Sequence, residues 1–115
     1  MNPRESFVQW LNLFPEKYTD SNKESDLIPI VEYFLMALED GVFDEFGVVW
    51  QGETITYRGQ KYYHPYSASR ANTIYSFELL FQYLLGFSPR VFAVWGDLSK
   101  TPRGKFAQAI MGVVR

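Results

Sequence analysis

Residues Phe46 to His64 read FGVVWQGETITYRGQKYYH, and the pattern in this stretch decides the fold class. Val48, Val49 and Trp50 favour extended backbone, and Thr54 to Tyr57 alternates β-branched with polar or aromatic residues. Gln60 to His64 is short and rich in tyrosine. Gly52 and Gly59 separate these runs at hairpin spacing. The reading is a three-stranded antiparallel meander over Phe46–Gln51, Thr54–Tyr57 and Gln60–His64, ended by Pro65.

The sequence before the meander is helical in period. Asn2 suits an N-cap, Pro3 the first helical position and Glu5 the third position of a capping box. Phe7, Trp10, Leu11 and Phe14 follow at i, i+3, i+4 and i+7, and Pro15 ends the run. The polar segment from Glu16 to Asp26 reads as a loop. A second helix is expected from a Ser25 or Asp26 cap, with Pro29 in its first turn. Leu27, Val31, Phe34, Leu35 and Leu38 form its stripe, and Asp40-Gly41 stops it.

After the meander, Ser67 or Ser69 is expected to cap a third helix that reaches Leu85. Ile74, Phe77, Leu80, Phe81 and Leu84 give it a wide apolar arc, which Leu79, Tyr83 and Leu85 widen further. Gly86 and Phe87 fit a left-handed stop. Arg90 to Gly96 is apolar on both faces and reads as a buried strand. Phe106, Ala109, Ile110 and Val113 recur at helical spacing, so a fourth helix opened by Thr101-Pro102 is favoured over a strand. The fold class is therefore α+β in one domain over residues 1–115. About four helices pack on a small, mostly antiparallel sheet made of the meander and one later strand.

Tyr33 to Trp50 resembles the helix-to-strand opening of the NTF2-like fold, over less than a fifth of the chain. That fold continues into a strand-rich second half. Here the helix expected over 68–85 takes that place, so neither pocket nor residue is carried over.

Composition removes several function classes. There is no cysteine, which excludes disulfides, thiolate nucleophiles and Cys-based metal centres. One histidine is too few for the usual hydrolytic zinc site, and no metal or other cofactor is expected. No P-loop, dinucleotide fingerprint, H-E-x-x-H or nucleophile elbow occurs. The opening Met1-Asn2-Pro3-Arg4-Glu5 lacks the apolar run of a signal peptide, and no run approaches the length of a membrane span. The expectation is a cytoplasmic protein without membrane contact.

What stands out is aromatic content and charge. Eight Tyr, ten Phe and three Trp make up 18% of the chain; they read as a Phe-rich core with Tyr at its margins, and Tyr and Trp are also enriched at interfaces. The net charge of −2 conceals −8 over residues 1–57 and +6 over 58–115. Lys61-Tyr62-Tyr63-His64-Pro65-Tyr66, flanked by Arg58 and Arg70, mixes cations with rings around the single histidine. Asp40, Asp44 and Glu45 cluster without EF-hand spacing and read as an acidic helix stop. Lys100, Arg103 and Lys105 form a second basic cluster.

The leading functional expectation is a small non-catalytic binding module, with no assigned catalytic residue. It is expected to self-associate through apolar and aromatic surface, most simply as a dimer, or to bind an unidentified protein partner. The alternative is a ligand pocket lined by Trp50, Trp95, Tyr62, Tyr63 and Tyr66, with His64, Arg58 and Arg70 as polar groups and enzymatic activity left open. Nucleic-acid binding through the basic half ranks third, against a pI near 5.3.

Overall fold

The computed structural model describes residues 1–14, 27–65, 73–89 and 100–112. Helix α1 spans Pro3–Leu13. The Glu5 N–H donates to Asn2 Oδ1 at 2.8 Å, and the Asn2 N–H donates to Glu5 Oε1 at 3.0 Å. The capping box thus satisfies two backbone donors that the first turn leaves open. Phe7, Trp10, Leu11 and Phe14 are buried as the period requires.

The second helix starts later than its sequence pattern implies. Leu27–Pro29 forms strand β1, and α2 spans Ile30–Glu39. β1 pairs antiparallel with β5, Lys100–Pro102 near the other end of the chain, in the register Leu27↔Pro102, Ile28↔Thr101, Pro29↔Lys100. Each strand carries its proline at its last position, where a missing N–H disrupts the ladder least. The expected helix start at Thr101-Pro102 is corrected in the same way, because both residues lie in β5. Local periodicity cannot register a partner so distant in sequence. From Phe34 onward the α2 stripe is as expected: Phe34, Leu35 and Leu38 are buried, and Gly41 takes φ 81° at the stop.

A 3-10 turn, Asp44–Phe46, and left-handed Gly47 precede strand β2, Val49–Gln51. The first strand of the meander is therefore shorter than the expected Phe46–Gln51. β3 spans Thr54–Tyr57 and β4 spans Gln60–Tyr63, and the sheet order is β2-β3-β4, antiparallel throughout. Helix α3 spans Thr73–Leu85, and α4 spans Arg103–Gly112. The tail is thus helical, with Ala107 and Ile110 buried. The two-stranded β1-β5 sheet is an addition to the expected architecture. The strand expected over Arg90–Gly96, the loop over 16–26 and the caps at Ser25, Asp26, Ser67 and Ser69 lie outside the described residues. So do the side chains of Leu27, Val31, Ile74 and Phe106.

The core is aromatic at its centre. The Phe34 ring meets Phe81 at 5.0 Å, Phe77 at 5.1 Å, Phe43 at 5.4 Å and Phe7 at 6.0 Å between centroids. These tilted and edge-on contacts join α1, α2, the turn after it and α3 in one cluster. The first and second halves of the sequence meet here: α1 packs on both α3 and α4. The Arg103 guanidinium lies 4.7 Å from the Phe14 ring centroid, and Arg4 donates to the Leu85 carbonyl at 2.9 Å. Among the described residues, no helix is long and apolar enough to cross a membrane.

Candidate functional site

The β3–β4 hairpin sets the geometry of the site. Its register pairs Ile55 with Tyr62 and Tyr57 with Gln60 across one face. Ile55, Tyr57 and Tyr62 are buried there, and α3 packs against β4. Two hydrogen bonds fix the helix against the strand. The Tyr63 N–H donates to Ser76 Oγ at 3.2 Å, and the buried Thr73 hydroxyl donates to the Pro65 carbonyl at 2.8 Å.

Between hairpin and helix lies an open groove of about 590 Å³. The hairpin contributes Tyr57, Arg58, Lys61 and Tyr62, with Gln60 beside them. The helix contributes Tyr75, Leu79 and Tyr83 at i, i+4 and i+8, a single stripe, and Ser76 beside it. Tyr75 and Tyr83 are 59% and 60% exposed, although they sit on a largely apolar helix. Tyr62 and Tyr83 are 6.3 Å apart between ring centroids. Among the described residues, the wall is thus four phenol rings and a leucine, with two cations at the hairpin end and no carboxylate.

The hairpin turn has a further feature. Arg58 has φ 51° and Gly59 has φ 79°, the paired positive values that a type I′ hairpin turn requires. Glycine tolerates this region and arginine does not prefer it; asparagine is the usual occupant of the first position. The strained arginine places its guanidinium 5.1 Å from the Tyr57 ring centroid, at the mouth of the groove. Among the described residues, neither Arg58 nor Lys61 has a carboxylate partner. Burial pushes the Tyr62 phenol above its ordinary pKa of 10.0, and the neighbouring Tyr83 and Tyr57 phenols act in the same direction.

No protein-family model, curated protein or solved structure matches the chain. The groove is therefore read from its own chemistry.

The residues expected at a site divide in two. Arg58 and Tyr62 line the groove. Tyr63 is not among the lining residues, and its N–H is bonded to Ser76, which is. Trp50 and His64 lie elsewhere, with ring centroids 5.9 Å apart and edge-on. The Trp50 indole N–H donates to the Gly52 carbonyl at 2.6 Å, and the His64 N–H donates to Glu53 O at 2.9 Å. Trp50 lines a separate depression beside Glu39 and Asp44. Tyr66, Arg70 and Trp95 lie outside the described residues. Asp40 of the acidic cluster accepts the Trp10 indole N–H at 2.9 Å, which gives it a structural role. Among the described residues, no group of three or more His, Asp or Glu side chains is placed to hold a metal.

Sequence reading missed the helix wall of the groove. In the sequence, Tyr83 falls within the wide apolar arc of α3 and Tyr75 carries no signal of its own. The signal was present in the spacing of 75, 79 and 83, which falls beside the core stripe of Phe77, Leu80, Phe81 and Leu84 rather than within it.

Proposed function

We propose that this chain is a small non-catalytic binding module and that its recognition surface is the groove between the β3–β4 hairpin and α3. One observation carries the reading: four tyrosines and two cations converge on an open groove that, among the described residues, no carboxylate lines. Tyrosine supplies rigid contact area at little entropic cost, together with a polar tip, and it is enriched with arginine at interfaces. His64, the single histidine, packs edge-on against Trp50 and is not among the residues that line the groove. That placement favours recognition over turnover. The test is a screen of small neutral, anionic and cationic fragments followed by amide chemical shifts. Binding fragments are expected to perturb Arg58, Lys61, Tyr62, Ser76, Leu79 and Tyr83. Hits that map consistently to another surface overturn the reading.

Self-association is the second reading, and the exposure of Tyr75 and Tyr83 favours it. Light scattering during size exclusion is then expected to give a dimer that Tyr83→Ser converts to monomer. A wild-type monomer at every concentration removes this reading and leaves the first intact.

A further inference from the structure

We infer that the groove docks a short, extended, acidic segment of a partner protein; this rests on the groove being the recognition surface. The extent of the concave surface gives the first argument. The groove adjoins a second depression of about 320 Å³, bordered by Pro3, Arg4, Leu84 and Gly86, and Tyr83 lines both. The two run on from each other along α3, and among the described residues no carboxylate lines either. From Tyr75 to Gly86 a helix advances about 16 Å. An extended chain covers that distance with about five residues. A compact ligand would fill one depression, whereas an extended segment uses both.

Charge gives the second argument. Arg58 and Lys61 stand at the hairpin end of the trough, and Arg4 stands at the other. Arg4 is anchored by the Leu85 carbonyl and lies 5.3 Å from the Phe87 ring centroid, so its charge is fixed in place. The Arg58 and Lys61 donors at the hairpin end complement acidic side chains. Tyr75, Leu79 and Tyr83 lie between them and suit one apolar or aromatic side chain of the segment.

Strand register gives the third argument. The His64 N–H to Glu53 O bond sets the phase of the β3–β4 ladder, so Gln60, Tyr62 and His64 exchange bonds with β3. Lys61 and Tyr63 then direct their peptide groups to the outer edge. The Tyr63 N–H on that edge is taken by Ser76. Those of Lys61 remain at the groove wall, where an extended segment adds a backbone pair. Single-stranded nucleic acid is also anionic, but it calls for cations tracking successive phosphates. Arg103 from the basic half is instead stacked on Phe14.

The test uses fluorescence anisotropy and amide shifts with seven-residue peptides that place Glu and Asp around one central Phe. Controls carry Gln and Asn, or Lys, in place of the acids, and an oligothymidylate is run beside them. The acidic peptide is expected to bind at least tenfold tighter than its Gln/Asn counterpart, with shifts along Lys61, Leu79 and Tyr83, and to weaken as salt rises. Arg58→Asn puts a turn-compatible residue at a positive φ, so the fold is retained, and it is expected to weaken the acidic peptide about tenfold. Equal binding of the neutral or basic peptide, an unchanged affinity in Arg58→Asn, or tighter binding of the oligothymidylate overturns the inference. If fragments map to the groove while acidity gains nothing, this inference fails and the proposed function stands. If neither fragments nor peptides map there, both fail.

Discussion

At the scale of single residues, two side chains show how local chemistry is committed. The Asp40 carboxylate receives the indole N–H of Trp10, which is 8% exposed. Asp40→Ala would leave that donor in a buried setting and is expected to cost about 1–3 kcal/mol in chemical denaturation. Tyr62 carries a prediction about pH. Its phenol ionises less readily in the fold than in the unfolded chain, so between the two pKa values the native state holds a proton that the unfolded state has lost. Its contribution is fully present below pH 10.0, the ordinary value, and is lost as pH rises through the raised one. Thermal melts are expected to show an alkaline loss of stability above that pH that is smaller in Tyr62→Phe. Arg58 has the opposite economy: its φ of 51° suits asparagine better. Arg58→Asn is expected to raise stability by up to about 1 kcal/mol while weakening recognition, so that stability and binding move in opposite directions.

At the scale of elements, the fold was legible wherever its cause is local. The capping box of α1, the left-handed stops at Gly41 and Gly86 and the hairpin turns at Gly52 and Gly59 all stand in the sequence as short-range signals. β1 and β5 were not legible, because their pairing joins residues near opposite ends of the chain and both carry proline. The site was half legible for the same reason. The hairpin announced Arg58 and Tyr62 by mixing rings and cations, but Trp50 and His64 were assigned with them although they sit together elsewhere. Only the approach of α3 brings in Tyr75 and Tyr83, and that approach is held by Thr73 and Ser76. Thr73→Val keeps the shape, removes the bond to the Pro65 carbonyl, and is expected to cost about 1 kcal/mol in stability. It is also expected to broaden or shift the amide signals of both groove walls, because the helix-to-hairpin angle is no longer pinned.

At the scale of the whole molecule, the fold separates two tasks. The phenylalanine cluster around Phe34 ties α1, α2 and α3 together, and it uses rings that have no polar tip. Phe34→Ala is expected to cost about 3–5 kcal/mol and to abolish recognition only by unfolding the chain. Tyr57, Tyr62, Tyr75 and Tyr83 line the groove instead, where a ring can pack while its hydroxyl meets a partner. The groove claim therefore reduces to a statement about which tyrosines a ligand touches. The most direct measurement is the ring spectrum of carbon-13-labelled tyrosine, with all eight residues assigned, as binding fragments are added. The account predicts that Tyr57, Tyr62, Tyr75 and Tyr83 move together and that Tyr33, at the buried core, stays still. Ligand-induced shifts that leave those four rings unmoved would contradict it.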